Sequence, residues 1–550
     1  MPDVLLLQPP IRDLYLTRKR TQPYGLACLA GSLRGAGLSV AIIDGLASIK
    51  SRRRLLPDEL ADLRDFYPRP DRSPLALFHP YRHFGYSLEH LARQVAVQKP
   101  FLVGISANFS TYAGEALALA RAVKKACPQA PIVVGGHHAT ALPEAVLAEA
   151  AVDYVIRGEG EAALVFLVRA LKEGRDLCQI PGLGWRTDTG SIFLHERVAV
   201  ADLDRSPPPA MDLIDRRFYR RRGKVSLVVT ASRGCPFACS YCCMTREGPL
   251  PYRRRPVASV LSELETATAS GSKVGFIDFE DENLALDKRW LHDLLDGIEE
   301  RFGADPAELR AMNGLYPPSL DRDLVAHMAR AGFRSLNLAL VSTAAAQLER
   351  FNRLDVSQAF DRCLAWAAEA EMDAVGYLIC GAPHQLPLDS LRDLVFLAQR
   401  RVLAGVSVFY PAPGSRDYAL CARLGCLPTS LTRLRSSALP VDHTTSRLQA
   451  ATLLRLGRLV NFIKALIDGG DALPPPAACP PRVDPKMERQ EMGRVLVAGF
   501  LADQMVRGID PEGRVYRQPV DCHLCDCFHQ EMQGRRIFGV TTLNSVVYPE

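Results

Sequence analysis

The stretch VSLVVTASRGCPFACSYC, residues 225–242, joins an apolar strand to a loop that carries three cysteines. Val225–Thr230 is the strand candidate, and Cys235, Cys239 and Cys242 follow it at C-x3-C-x2-C spacing. Parallel α/β folds build their sites where strands end. We therefore expect this loop at the carboxyl end of the first strand of an α/β barrel, and we expect the chemistry of the chain to be there.

Three thiolates on one short loop can hold three irons of a [4Fe–4S] cluster and leave the fourth iron open for a substrate or cofactor. The alternatives are a structural zinc site and three unrelated buried thiols. Zinc usually takes four protein ligands in two pairs, and Cys243 points away from Cys242 on any regular backbone, so it is a poor fourth ligand. The spacing therefore favours the iron–sulfur cluster.

The segment 232–242 resembles the signature of the radical S-adenosylmethionine (SAM) enzymes, and Tyr241 stands where that family has an aromatic residue. The resemblance implies that the open iron chelates the amino and carboxylate groups of SAM. It also implies that one electron, from an external donor of the flavodoxin or ferredoxin type, cleaves a C–S bond of SAM. The three cysteines are then catalytic, and Tyr241 is among the cofactor-binding residues.

Residues 1 to about 195 alternate apolar runs with amphipathic helices, which predicts a doubly wound, Rossmann-like parallel sheet. Ligands of such sheets lie at the carboxyl ends of the strands. The strand candidates are Val4–Leu7, Ser39–Asp44, Phe101–Ser106, Pro131–Gly136 and, as the last, Tyr154–Ile156.

This half resembles the cobalamin-binding domain that precedes the radical SAM domain in one large subgroup of the family. The resemblance lies in Pro23-Tyr24-Gly25, in the segment 135–140 and in the segment 158–161. Glycines such as Gly135 and Gly136 would let the backbone approach a flat macrocycle. The D-x-H-x-x-G motif that gives a histidine to cobalt is missing, so we expect bound cobalamin without that ligand. The alternative is a degenerate domain that binds no corrin.

After a proline-rich linker, residues 210 to about 420 repeat a strand and a helix six times, which predicts a partial TIM-like (β/α)6 barrel, open on one side. The later strand candidates are Lys273–Phe279, Arg310–Asn313, Ser335–Leu340, Ala374–Ile379 and Val406–Phe409. The predicted domains are therefore a cobalamin-binding-like domain (1–200), a radical SAM barrel (201–420) and a mainly helical region with a cysteine-rich tail (421–550).

Polar residues at strand ends are the candidates for SAM binding. By resemblance, Glu280 and Asp281 accept from the amine of SAM, and Asn313 contacts its ribose. A helix-capping acidic turn is the alternative for the two carboxylates.

Three further segments bear on the resemblance. Gly381 begins a turn, through Gln385, that replaces the usual G-L-P-G-Q and is expected beside adenine. His384 in this turn is either an acid/base group facing the substrate or a hydrogen-bonded turn residue. Ser342 stands where many relatives have glutamate, whereas Tyr410–Ser415 matches a recurrent segment of the cobalamin-dependent subgroup.

The tail carries Cys522, Cys525 and Cys527 in a dense group of thiols and imidazoles. This pattern predicts a second metal site, either an auxiliary iron–sulfur cluster or zinc closed by a fourth ligand such as His529 or Cys479. The alternative is a reduced, cysteine-rich surface loop.

The composition is that of an ordinary globular protein, with 48% hydrophobic and 23% charged residues and a net charge of +6 over 550 residues. No apolar stretch is long enough to span a membrane, and we expect a cytoplasmic, reducing setting for the fifteen cysteines. The chain lacks the interleaved aromatic and basic pattern of nucleic-acid binders. We expect a small-molecule or peptide substrate.

Together the resemblances imply a cobalamin-dependent radical SAM enzyme. SAM would break reductively to methionine and a 5′-deoxyadenosyl radical, and methylcobalamin would deliver a methyl group to an unactivated carbon or phosphorus centre. One alternative keeps the same cofactors but catalyses cyclisation, rearrangement or oxidation. A second is a non-catalytic iron–sulfur and corrin-binding sensor, which an open iron disfavours.

Overall fold

A computed structural model describes residues 1–14, 22–78, 80–200, 202–245, 251–268, 274–303 and 307–550. Its N-terminal part is built on a seven-stranded sheet. Five strands are parallel, and an antiparallel hairpin extends one edge. Across the sheet the strands are Ile192–Leu194, Leu183–Arg186, Tyr154–Ile156, Ile132–Gly135, Leu102–Ser106, Val4–Gln8 and Val40–Asp44.

Both faces of this sheet are covered, because the inner strand Val4–Gln8 sends alternate side chains into two cores. Leu5 and Leu7 pack with the helices Leu88–Gln98 and Ala113–Ala126. Leu6, on the other face, packs with helices on the opposite side. The predicted doubly wound sheet is therefore confirmed. The remaining helices of this part are Tyr24–Gly35, Leu63–Phe66, His137–Ala141, Pro143–Leu147 and Glu161–Glu173, and a small antiparallel sheet is formed by Ile11–Asp13, Arg82–Phe84 and Ser51–Arg53.

The second part is a six-stranded parallel barrel, open on one side, as predicted. Its strands form two blocks of three, joined by the isolated bridges Leu309 to Phe333 and Leu315 to Leu338. The strands are Lys224–Val229, Val274–Phe279, Glu308–Arg310, Ser335–Val341, Asp373–Cys380 and Leu403–Val408. The helices are Val257–Thr268, Lys288–Phe302, Arg322–Ala331, Ala345–Phe351, Ser357–Glu369, Pro387–Ala398 and Arg416–Arg423. The short strand Arg220–Arg221 pairs antiparallel with the first barrel strand.

Two predicted strand assignments differ from the structure. The third barrel strand ends at Arg310, not at Asn313, because Met312 is half exposed and Gly314 turns the chain at φ +101°. The strand Tyr154–Ile156 is not the last of its sheet, since the hairpin 183–194 pairs with it. Lys273, predicted to begin the second barrel strand, lies outside the described residues.

The C-terminal region shares one core with the barrel. Its first helix, Arg447–Asp468, begins with a capping box between Ser446 and Gln449 and packs on the last barrel strand. Phe500 and Phe528, on the two later helices, belong to the same hydrophobic cluster. These helices are Arg489–Asp503 and Cys522–Met532, and the region also contains the hairpins Arg507–Ile509 with Val515–Arg517 and Arg536–Phe538 with Ser545–Val547. In the described residues, no helix combines the length and apolar character that a membrane span requires.

Candidate functional site

The cysteine loop follows the first barrel strand directly. Ser232–Arg233 pairs with Arg253–Arg254 in a short antiparallel ladder that closes the base of the loop. Gly234 then turns the chain at φ +83°, a conformation that favours glycine, immediately before Cys235. The loop therefore starts from a fixed base at the carboxyl end of a barrel strand.

The acidic turn after the second barrel strand holds the base of this loop. Asp281 is 3% exposed, and its carboxylate accepts from the backbone N–H groups of Ala231 (3.2 Å) and Ser232 (2.5 Å) and from the Ser232 hydroxyl (2.5 Å). Burial raises the pKa of Asp281 to about 7, against these hydrogen bonds. These bonds commit much of the Asp281 carboxylate to the loop, so Glu280 is the better placed of the two predicted acceptors, and a contact of Asp281 with the SAM amine stays a prediction. Glu282 adds a contact by accepting from the N–H of Gly234 at 3.2 Å.

Glu280 and Asn313, the other two predicted SAM contacts, lie together. The Asn313 side-chain amide donates to Glu280 Oε2 and to the carbonyl of Asp281, both at 3.3 Å. Glu280 is half-buried at the end of its strand. A carboxylate and an amide oxygen are thus placed beside the cysteine loop, on the turn that anchors it.

The end of another helix forms hydrogen bonds to the middle of the cysteine loop. Nothing in the sequence indicates this contact. The helix Ala345–Phe351 ends with Asn352 in the left-handed conformation. The carbonyl of Phe351 accepts from Ser240 N–H (3.1 Å), and the Asn352 side chain donates to the carbonyl of Ala238 (3.0 Å). Arg353 donates to the Cys239 sulfur at 3.7 Å. More than 100 residues separate the partners, so no local pattern could have identified them.

The loop offers the donor set that an iron–sulfur cluster requires. Burial and the neighbouring cysteine sulfurs raise the pKa of Cys242 to about 12, and burial likewise raises the pKa of Cys235. The thiols therefore lie close enough to repel one another as thiolates, and bound iron would relieve that repulsion. Arg353 places a guanidinium group beside Cys239. Among the described residues no three Cys, His, Asp or Glu side chains converge closely enough to hold a metal ion, so the fit rests on donor chemistry and loop position.

The turn that begins at Gly381 lies beside the same loop. Gly381 has φ +76°, and the Gln385 side chain closes the turn by bonding Ala382 N–H (3.1 Å) and the carbonyl of Ile379 (2.8 Å). Ala382 packs in one cluster with Tyr241 of the cysteine loop. His384 is exposed at φ +64°, and its ring lies 4.8 Å from that of His443.

The carboxyl edge of the N-terminal sheet is open at two predicted glycines. A Cβ on Gly25 would meet nothing within 4 Å, and one on Gly135 would meet only the carbonyl of Ile156 at 3.9 Å. Gly136 is different, since at φ +110° it packs against the backbone of Ala107. His138 is buried and bonded to Ser110 at 3.0 Å, and burial lowers its pKa to about 4.

The segment 158–161, which carries part of the resemblance to a cobalamin-binding domain, joins the two domains. Arg233, at the base of the cysteine loop, pairs with Glu161 at 2.7 Å and with Glu159 at 3.6 Å. Arg253 pairs with Glu159 at 2.8 Å. Gly158 is needed for the close approach of Val198, whose carbonyl oxygen would lie 2.0 Å from an added Cβ.

Tyr24 of the Pro23-Tyr24-Gly25 motif makes a second contact between the domains. Its hydroxyl donates to Glu263 at 3.2 Å and accepts from Arg255 at 3.0 Å. Glu263 and Arg255 belong to the barrel, and they also pair with each other at 2.6 Å. The N-terminal sheet is thus attached to the barrel close to the cysteine loop.

The tail cysteines are not brought together. They lie on the helix Cys522–Met532, where Cys525 is buried in the core and Cys522 is exposed. Cys527 lies 3.7 Å from the Nε2 atom of His523, and His529 bonds the hydroxyl of Tyr548. Successive positions on a helix differ by about 100°, so the three sulfurs point in different directions. The geometry gives no support to the predicted second metal site.

A cavity of about 470 Å³ lies away from these residues, beside the edge strand Val40–Asp44. It contains none of the predicted site residues.

Comparison with known proteins matches two parts of the chain. Residues 79–168 match the B12 binding domain, and residues 229–395 match the radical SAM superfamily. An uncharacterized methyltransferase, PH0819, of Pyrococcus horikoshii is 27% identical over 68% of this chain and 81% of its own length. An anaerobic magnesium-protoporphyrin IX monomethyl ester cyclase of Cereibacter sphaeroides is 26% identical over 54% of this chain, which spans about half (49%) of that relative.

One solved structure is the radical SAM methyltransferase TsrM from Kitasatospora setae with cobalamin and a [4Fe-4S] cluster bound. It superposes with a TM-score of 0.57 at 20% identity, covering 77% of this chain and 75% of TsrM. At this identity the likeness shows the fold. A B12-binding domain thus precedes a radical SAM domain whose cysteine loop, acidic turn and partial barrel are all present, and the chain belongs to the cobalamin-dependent radical SAM enzymes.

Proposed function

We propose that the chain is a cobalamin-dependent radical SAM methyltransferase acting on an unactivated carbon or phosphorus centre of a small molecule or peptide. Cys235, Cys239 and Cys242 would hold a [4Fe–4S] cluster, and cobalamin would lie on the carboxyl edge of the N-terminal sheet. When bound, these groups supply one-electron cleavage of SAM and a transferable methyl group.

The observation that carries the proposal is the attachment of one loop from three sides. The acidic turn holds its base through Asp281 and Glu282, and the helix end at Phe351–Arg353 holds its middle. Arg233 ties it to Glu161 of the B12-binding domain. Such support fixes the three sulfurs relative to both domains, which is what bringing cofactors and substrate into one cavity requires.

The residues beside the loop suit SAM. Glu280 presents carboxylate oxygens that can accept from the SAM amine, and Asn313 presents an amide oxygen suited to a ribose hydroxyl. Gly381 begins the turn whose next residue, Ala382, shares a hydrophobic cluster with Tyr241 of the loop, and we assign the backbone of this turn to the adenine ring. Tyr241 packs edge-on against Phe351, 5.0 Å between ring centres, and so shields the loop from water.

On the cobalamin side, Gly25 and Gly135 leave room for a flat macrocycle. His138, at the same edge, is committed to Ser110 and turned inward. This arrangement favours a corrin held by its surroundings, with no imidazole from His138 on cobalt.

Cyclisation, rearrangement or oxidation with the same cofactors is the second candidate, favoured by the cyclase relatives. We rank methyl transfer first because the methyltransferase relative matches a larger share of this chain.

The test is anaerobic reconstitution with iron, sulfide and hydroxocobalamin, an electron donor of the flavodoxin or ferredoxin type, and mass spectrometry of the SAM products. A methyltransferase yields both 5′-deoxyadenosine and S-adenosylhomocysteine with a methylated product. 5′-Deoxyadenosine alone supports the second candidate. A reduced, fully reconstituted protein that leaves SAM intact would identify a sensor.

A further inference from the structure

Arg353 places a guanidinium group against the cysteine loop. Asn352 in the left-handed conformation ends the helix Ala345–Phe351 and directs the next side chain back toward the loop. Nη1 of Arg353 donates to the Cys239 sulfur at 3.7 Å. The guanidinium lies over the rings of Tyr316 and Phe237, at 5.0 and 5.9 Å from their centres.

Two hydrogen-bond donors of this guanidinium are buried and unsatisfied within the residues that the structure describes. Its Nε and Nη2 atoms are buried without a hydrogen-bond partner among the described residues. In the described part of the chain no carboxylate lies within ion-pair distance of it, and its nearest acidic groups are Cys239 and the hydroxyls of Tyr241 and Tyr316. Burying a cation without an opposing charge is costly, so the arrangement needs an anion on the loop.

Three thiolates carrying an iron–sulfur cluster would be that anion. A cation and an N–H···S contact both stabilise the reduced cluster, which carries one more negative charge than the oxidised form. Hydrogen bonding to cluster sulfur is a recognised means by which proteins set reduction potentials.

We propose that Arg353 is the counter-ion of the [4Fe–4S] cluster at Cys235, Cys239 and Cys242, and that it raises the cluster's reduction potential. This inference rests on the proposed function. One electron passes from the external donor to the cluster, and Arg353 remains protonated and covalently unchanged. It is a positioning and tuning residue, since it acts on the cluster through Cys239.

The experiment is an anaerobic redox titration of the reconstituted holoenzyme, followed by electron paramagnetic resonance, with iron and sulfide content measured on each sample. Arg353→Gln removes the charge and should make reduction about tenfold less favourable, a shift of about 59 mV to more negative potential for one electron. Arg353→Lys keeps the charge and should stay within about threefold of the native protein.

Arg350→Gln is the matched control. Arg350 lies in the helix that Arg353 follows, and its guanidinium nitrogens also lack hydrogen-bond partners among the described residues, but it forms an ion pair with Asp417 at 3.8 Å and makes no bond to the triad. This variant should lose stability yet leave the potential within about threefold of the native value.

Each outcome decides a different question. Native protein that binds no cluster contradicts the proposed function itself. If Arg353→Gln keeps the cluster at the native reduction potential, the proposal that Arg353 is the counter-ion is overturned. Loss of the cluster in both Arg353→Gln and Arg353→Lys also overturns that proposal. If Arg353→Gln loses the cluster while Arg353→Lys keeps it at the native potential, the charge requirement is upheld.

Discussion

At the residue scale, Asp393 holds the carboxyl end of the fourth barrel strand. It is fully buried and accepts from the Ser342 hydroxyl (2.7 Å) and from the N–H and hydroxyl of Thr343 (2.6 Å each). The strand ends at Val341 with φ +70°, a strained conformation for a β-branched residue. Ser342, at a position where relatives carry glutamate, thus serves a structural bond here.

The buried carboxyl group of Asp393 should make the free energy of unfolding depend on pH. Burial raises its pKa to about 6 from 3.8, so the folded chain retains a proton that the unfolded chain releases. Stability is therefore greatest below about pH 4 for this group and is lost as the pH rises to about 6, by about 3 kcal/mol. Denaturant unfolding of the metal-free chain across pH 4–7 should show this loss together with that of Asp281, whose pKa is also raised, and Asp393→Asn should reduce the total loss by about 3 kcal/mol.

Asp389→Asn, on the same helix but partly exposed and beside Arg392, should keep the native slope. If the curves of the native protein and Asp393→Asn ran parallel across this range, the buried-carboxyl account would be wrong.

At the element scale, one ion-pair cluster links the B12-binding domain to the cysteine loop. The side chains of Arg233 and Glu161 are 20% and 12% exposed, so this ion pair lies between a surface pair and a fully buried pair. Arg253 and Glu159 complete the cluster. We expect Glu161→Gln to cost about 2 kcal/mol, between the values for exposed and buried pairs.

The readout is amide hydrogen exchange of residues 232–242, which should quicken about thirtyfold when the link is weakened. Glu173→Gln, which removes an exposed pair with Arg175, should leave this exchange unchanged. Unaltered exchange in Glu161→Gln would mean that the domains do not support the loop through this pair.

Elements with strong periodicity could be predicted from the sequence. Tyr154–Ile156 has the predicted bounds, because its apolar run and the turns beside it mark it. The hairpin Leu183–Arg186 with Ile192–Leu194 was missed, since its outer strand is half-exposed and carries little signal. The place of the cysteine loop followed from the strand before it, whereas the contact between Glu280 and Asn313 was not predicted.

Arg353 and the Glu159–Glu161 pairs could not be predicted, because each contact joins residues about 70 to 115 positions apart. The arrangement of the tail cysteines could not be predicted for a related reason. Their spacing suits a metal only in a loop, and the sequence alone did not show that packing of Phe528 and Met532 makes the segment a helix.

At the scale of the whole molecule, the loops at the carboxyl ends of the sheet and of the barrel meet. Besides the contacts of Arg233, the buried pair of Asp13 and Arg435 (3.0 Å) and the bond from Thr111 to Thr432 join the first and last parts of the chain. The C-terminal helices share the barrel's core. The N-terminal sheet, the barrel and the C-terminal region are therefore held in contact with one another, and the proposed function requires SAM, cobalt and substrate to meet where the loops of the sheet and the barrel come together.

The most direct test of this account is the iron content and SAM cleavage of a variant with alanine at Cys235, Cys239 and Cys242. After anaerobic reconstitution we expect corrin absorbance to persist, while about four irons per chain and all 5′-deoxyadenosine formation are lost. Cys243→Ala should retain both. A triple variant that kept native iron and cleaved SAM would contradict the central claim.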